Sequence, residues 1–256
     1  MSTEDPLLEA RLQREAEFHD TKYAGGDSMP RHYAAWPTQY VYTEMRDALG
    51  DLNGKRVLEY GCGEGWITRD LASRGAQVCA FDISPQAAEN TRAVLSAAKL
   101  LERCTVGVMP AERLDYPDAS FDLAVGFAII HHLDLKAALK ELQRVLKPGG
   151  IAYFAEPLAT NPLIQAYRRV TPQFRTPDEA PLELAKLPAL LSGFRSFEHR
   201  EFYLTALGAV ALTYLPGGSR LFPHVSAPLH RLDRGILRLF PALGNWAWYT
   251  VLKITR

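Results

Sequence analysis

Between residues 56 and 65 the chain passes from an apolar run, through alternating glycines, into a segment of helical spacing, and few folds accommodate that order. Val57-Leu58-Glu59-Tyr60 has the character of a buried parallel strand. Gly61, Gly63 and Gly65 follow it. A strand that turns through glycines into a helix brings backbone N–H groups close to a ligand, with the positive end of a helix dipole behind them. Such a turn suits a nucleotide-like ligand carrying a carboxylate or phosphate.

The rest of the first two thirds repeats the strand–helix order. Strands are expected over residues 56–60, 77–81, 104–108, 121–127 and 151–155. Helices are expected over 65–74, from Ser84-Pro85 to about Leu101, and through Leu133–Leu146 until Lys147-Pro148-Gly149-Gly150 stops the last. The strand runs are uniformly apolar, as strands covered on both faces are. The expectation is an α/β fold: a doubly wound, mostly parallel seven-stranded sheet, Rossmann-like, with a helical lid. One domain spans residues 1–256: a helical lid over 1–50, a ligand-binding core over 51–157, a substrate-side cap over 158–245 and a closing strand within 246–256. The lid has helices over 6–24 and 38–49 around a loop at 25–30. The proline-rich stretch 158–192 reads as helical pieces, 195–204 as a strand, and 205–245 as a mixture without clear order.

Composition limits the partners. The 29 basic and 29 acidic side chains cancel, with no basic tail, so nucleic acid is not expected. Cys62, Cys79 and Cys104 lack CxxC spacing and read as reduced core thiols of a cytoplasmic protein. The first residues hold no apolar signal region, and the longest apolar stretch, residues 202–215, is shorter than the ~20 residues that span a bilayer.

The turn departs from the dinucleotide fingerprint, because an acid, Glu59, ends the strand and the glycines alternate. A carboxylate there repels a pyrophosphate but holds a cationic amino group, so a ligand with an α-amino acid end fits. Asp82 ends the second strand, where an acid accepts hydrogen bonds from ribose hydroxyls or caps the next helix. Glu59–Gly65, Asp82, Pro110–Glu112, Phe127–His132 and Glu156 all fall at strand carboxyl ends, where such sheets bind ligands.

Val57–Gly65, Phe81-Asp82-Ile83-Ser84-Pro85, Ala111-Glu112, Ser120-Phe121-Asp122-Leu123 and Leu142–Gly150 come in order at a spacing that resembles the class I S-adenosylmethionine-dependent methyltransferases, in the branch acting on small molecules, quinones and lipids. The resemblance covers residues 55–157. It implies S-adenosyl-L-methionine as cofactor, S-adenosyl-L-homocysteine as product, and a small-molecule acceptor, in secondary or specialised metabolism. It places Glu59, Gly61, Cys62 and Gly63 at the methionine end, Asp82 at the ribose, Ile83 on the adenine, Ala111 and Glu112 at the adenine edge and Phe127 beside the sulfonium. Pro110 stands where the family usually has an acid facing the adenine amino group. Tyr23, with Tyr33 and Trp36 as weaker candidates, belongs to a lid whose aromatic faces attract a sulfonium.

His131-His132 lies just past the fourth strand, where a histidine serves either as general base or as a wall residue. On a helix the two would point about 100° apart, so one at most would face the ligands. Their spacing suits no helical metal pair, and no metal is expected. Glu156 is expected to point toward the substrate. Arg168, Arg169, Arg175, Asp178 and Glu179 are expected on the surface. Arg231, Arg234 and Arg238 share a helix face opposite Leu232, Ile236 and Leu239. Such a helix packs on the core or lies on a membrane, which is possible here but not favoured. Two rival classes remain, a module that binds the cofactor without turnover and an NAD-dependent oxidoreductase, and within the enzyme class a small polar metabolite competes with a lipid or quinone acceptor at a membrane surface. The attacking atom of the acceptor and the oligomeric state are left open.

Overall fold

The structure, a computed structural model, describes residues 6–25 and 36–256, with backbone alone over 36–39. Tyr33 and all but the first residue of the expected loop at 25–30 lie outside these residues, as does the Trp36 side chain. Helices α1 (Pro6–Ala24) and α2 (Trp36–Ala48) precede the alternation β1 (Arg56–Tyr60), α3 (Trp66–Ser73), β2 (Gln77–Asp82), α4 (Pro85–Ala97), β3 (Cys104–Val108), β4 (Phe121–Phe127), α5 (Leu135–Val145) and β5 (Leu146–Pro157). The cap carries α6 (Pro162–Val170) and α7 (Leu187–Leu190). Strand β6 (Ser196–Phe202), helix α8 (Gly218–Leu239) and strand β7 (Tyr249–Thr255) complete the chain.

The seven strands lie in the order β3-β2-β1-β4-β5-β7-β6. The first five pair in parallel, and β7 runs antiparallel between β5 and β6. Strand order reverses between β1 and β4, which places a ligand crevice at their carboxyl ends. Successive strand residues face opposite layers. Val57, Val78 and Val125 pack against α2, α3 and residues 203–222, whereas Leu58, Ala124 and Phe154 pack against α5. Both faces being covered explains why β1, β4 and the end of β5 lack polar alternation.

Three expectations change in detail. Helix α4 stops at Ala97, and Lys99 turns left-handed (φ 58°) into a short 3-10 turn. Helix α5 ends at Val145, just before Lys147–Gly150 as expected, but that segment belongs to an irregular start of β5 rather than to a loop. Pairing jumps there from Phe121 opposite Leu146 to Leu123 opposite Ile151, and Gly149 takes the positive φ that the bulge requires. Residues 205–245 contain a 22-residue helix, α8, in spite of Pro223 and Pro228.

The face that α8 buries also differs from expectation. Phe222, Ser226, His230 and Asp233 are buried, while Leu232 and Leu239 are exposed. Polar anchoring decides this. The Asp233 carboxylate accepts the N–H groups of Leu204, Thr205 and Ala206 at 3.1, 2.8 and 3.2 Å. His230 stacks on Tyr40 with ring centroids 3.6 Å apart.

Candidate active site

The glycine turn is built as the sequence requires. Gly61 and Gly63 have φ of 67° and 51°, conformations that side chains with a Cβ rarely adopt. The space above each is already used. A Cβ on Gly61 would meet the Ile129 side chain at 2.9 Å, and one on Gly63 would meet the Tyr23 hydroxyl at 2.8 Å. Tyr23 therefore lies directly over the turn, brought there by α1. Cys62 between them is buried, and burial pushes its thiol up, so it stays protonated. Its N–H donates to the Phe81 carbonyl at 3.0 Å, tying the turn to β2.

Glu59 ends β1 with 1% of its surface exposed. Neither of its oxygens has a hydrogen-bond partner, nor does the buried Thr68 hydroxyl on α3. Burial, with the nearby Asp82 charge, outweighs the relief that the neighbouring Thr68, short of hydrogen-bond geometry, gives the carboxylate, and pushes its pKa up to about 8. Asp82 accepts the Gly63 N–H on one oxygen and the Ser84 N–H on the other, each at 3.0 Å. Each oxygen keeps a second lone pair for a ligand hydroxyl. Ser84 caps α4 by accepting the Ala87 N–H and donates to Asp20, which also accepts the Gln86 N–H. This latch holds α1 against the start of α4.

Ile83 is half-buried after β2. Ala111 and Glu112 are buried on the turn after β3. One Glu112 oxygen accepts the Asp134 N–H at 2.8 Å, and the other has no partner. Phe127, at the end of β4, belongs to an aromatic wall with Tyr42, Trp66 and Tyr249, at centroid distances of 6.4, 6.0 and 6.1 Å.

Beyond Phe127, Ala128 is left-handed (φ 51°) and the histidines follow on a 3-10 turn, Ile130–His132, rather than on a helix. Glu156, expected to point toward the substrate, is instead engaged by protein groups. It is fully buried and accepts the N–H groups of Ile129 and Ile130 at 2.9 and 3.0 Å, while its second oxygen lies 2.6 Å from His131 Nδ1. The other His131 nitrogen lies 3.6 Å from Glu179. The expected surface position of Arg168, Arg175 and Glu179 is likewise corrected. Their side chains are only 13%, 10% and 8% exposed, because Glu179 pairs with Arg168 at 2.6 Å and lies 4.0 Å from Arg175. His131 thus links the sheet to the cap. Arg169 stays exposed, and Asp178 pairs with the surface residue Arg14 at 2.8 Å.

His132 faces the opposite way, toward α1. Its Nδ1 lies 3.1 Å from Glu15 and its ring is 4.8 Å from that of His19. Burial, then the neighbouring His131, pushes its pKa down to about 3, so the ring is neutral. Burial works to raise the Glu15 pKa, but the hydrogen bonds of His132 and Thr176 and the close approach of His19 at 3.5 Å hold it below the usual carboxylate range. Glu15, Thr176 and Glu179 had no motif to mark them. The only trace in the sequence is that Glu15 and His19 stand four apart on an amphipathic helix.

Two hollows among the described residues lie apart from these groups, the first reaching the aromatic wall through Trp248, whose ring is 5.1 Å from that of Tyr249. An apolar trough of ≈ 180 Å³ lies at the carboxyl edge of the sheet between Leu163, Ile164, Tyr167, Val210, Tyr214 and Trp248. A larger one of ≈ 400 Å³ lies between α5 and residues 189–194, away from the strand ends.

Residues 58–154 match the family model of a methyltransferase domain. Over 108 residues the chain is 36% identical to the ubiquinone biosynthesis O-methyltransferase of Idiomarina loihiensis, covering 41% of this chain and 43% of that protein. It is 33% identical to the demethylmenaquinone methyltransferase of Chlorobaculum tepidum, covering 44% and 46%. The matched stretch thus spans less than half of either relative. Among solved structures, the cyclase SpnF aligns over 96% of both chains with a TM-score of 0.60 at 20% identity. Phosphoethanolamine N-methyltransferase 2 of Haemonchus contortus, in complex with S-adenosyl-L-methionine, aligns over 86% of this chain and 56% of that one with a TM-score of 0.63 at 17% identity. At these identities the structures speak for the fold.

Proposed function

We propose that this chain, which belongs to the class I S-adenosylmethionine-dependent methyltransferases, moves a methyl group to a small, largely apolar acceptor of specialised metabolism. The observation that carries the reading is Glu59: a buried carboxyl without a partner, beside positive-φ glycines at the strand-order switch. Such a group lacks a cation, and the ammonium of an amino acid end supplies one. The cofactor brings a methyl carbon already activated by its sulfonium. The chain's residues then have to bind, align and keep out water. Glu59 would hold the ammonium and the free lone pairs of Asp82 the ribose hydroxyls. Tyr23 would close over the turn from α1, with Ile83, Ala111 and Glu112 toward the adenine. Phe127 and its aromatic neighbours would form the wall at the reacting end. His132, neutral and held through Nδ1, is the group available to accept a proton from the acceptor; His131, locked between two carboxylates, positions the turn.

The apolar lining of the trough favours an apolar acceptor. A second reading, a quinone or lipid acceptor met at a bilayer surface, is favoured by the exposed Leu239, Phe240 and Trp246 near the end of α8. Among the described residues no helix is long and apolar enough to cross a membrane.

Calorimetry tests the cofactor: S-adenosylhomocysteine should bind the wild type and bind Glu59→Gln at least tenfold more weakly. Binding of NAD in its place would overturn the reading. Transfer of a labelled methyl group to a panel of phenols, quinols and amines tests turnover. Tight cofactor binding with transfer to none would favour the non-catalytic module. Co-sedimentation with anionic vesicles, lost in Phe240→Ser, would select the bilayer reading.

A further inference from the structure

We propose that Glu15, His19 and His132 form a site for one divalent transition-metal ion of the zinc class, joining α1 to the turn after β4. One donor atom from each residue lies within 4.8 Å of the other two. Glu15 and His19, four apart on α1, share a helix face. Glu15 Oε2 stands 3.1 Å from His132 Nδ1 and 3.5 Å from His19 Nε2. In a tetrahedral site with bonds of about 2.0–2.1 Å, neighbouring donors are about 3.3 Å apart. Two edges of the triangle already match, and only the edge between the histidines has to close.

Two further observations point to a ligand. His19 Nε2 is buried and has no partner in hydrogen-bond geometry, its nearest being Glu15 Oε2 at 3.5 Å, an arrangement that costs free energy unless something takes its lone pair. The second Glu15 oxygen accepts the Thr176 hydroxyl, which leaves Oε2 for the cluster and fixes the carboxylate's orientation, as outer partners of metal-binding carboxylates do. Two imidazoles and one carboxylate suit zinc, cobalt or ferrous iron rather than magnesium or calcium. Three protein donors leave at least one position for an oxygen ligand. The site lies one helical turn before Tyr23, which covers Gly63. This goes beyond the methyl-transfer reading and does not depend on which acceptor is used. The sequence pattern at His131-His132 excluded a metal only because the helical pair lies elsewhere, on α1.

Chelator-treated full chain, titrated with Co²⁺, is the test. The expected result is uptake of one equivalent, visible d–d absorption and a raised melting temperature, since a ligand of the folded state stabilises it. His19→Ala and Glu15→Gln should each weaken Co²⁺ binding at least tenfold, while His224→Ala, exposed on α8, should not. Far-UV circular dichroism checks that each variant is folded. Glu59→Gln should lose S-adenosylhomocysteine and keep Co²⁺, so failure of the cofactor reading and failure of the metal site are distinguishable. No uptake by the wild type, or equal affinity in His19→Ala and Glu15→Gln, overturns the proposal.

Discussion

A carboxyl group buried without a partner carries a cost that pH can reveal. The Glu59 pKa rises from the ordinary 4.5 to about 8 on folding, so the folded chain holds a proton that the unfolded chain releases. Its stability contribution is intact below pH 4.5, falls as pH rises to about 8, and is constant above. Glu59→Gln has no proton to lose. Melts without cofactor should therefore show the variant gaining on the wild type across that range and levelling off above it; a margin independent of pH would refute the protonated carboxyl. Gly65 gives a second test. A Cβ there would stand 2.8 Å from the Thr91 Cα, at a φ of 76°, so Gly65→Ala combines backbone strain with displacement of α4. A loss of about 2–4 kcal/mol is expected in denaturant unfolding. At Gly63 the obstacle is the tip of a side chain, which can swing aside, so Gly63→Ala meets the strain of φ 51° without a fixed clash and should cost less stability than Gly65→Ala while lowering cofactor affinity.

At the scale of elements, α8 depends on one carboxylate. Asp233→Ala would leave three buried or half-buried N–H groups without their acceptor, and a loss of about 3 kcal/mol or more is expected by chemical denaturation. This is also where the sequence was least legible. Strands β1, β2, β4 and β5 were readable because burial on both faces leaves a largely apolar run, whereas β6, mostly exposed, showed only in its alternation. Helix α8 was not, because its buried face carries Ser226, His230 and Asp233 while leucines face outward, and its two prolines read as breaks. At Pro148-Gly149-Gly150 the sequence marks the end of α5 but not the bulge, since a turn and a bulge need the same residue types. For α1, the latch through Asp20 makes a different prediction. Asp20→Ala should speed amide exchange over residues 6–24 and at the start of α4 while leaving exchange in β1 and β4 unchanged.

Across the whole molecule, β7 matters more than its place at the end of the chain suggests. It lies between β5 and β6 and pairs along seven residues with each. A chain cut after Ala247 should fail to fold cooperatively, seen as loss of a single melting transition. The same long-range geometry limited what could be read of the site. Glu59, Asp82, Ala111-Glu112 and Phe127 sit where a parallel sheet places any residue ending its strands, so order and spacing sufficed. Glu15 meets Thr176 and His132 across separations of 161 and 117 residues, and Glu179 meets His131 from the cap, pairings that no local pattern announces.

Helix α1 grips two partners at once. Asp20 holds it to the donor-binding half through Ser84 and Gln86, and Arg11, Arg14 and Glu15 hold it to the cap through Asp178 and Thr176. A single displacement of this helix uncovers both halves, and a single closure commits both. Donor affinity and acceptor affinity are then linked through one equilibrium, and whichever molecule binds first must tighten the other by the factor it receives in return.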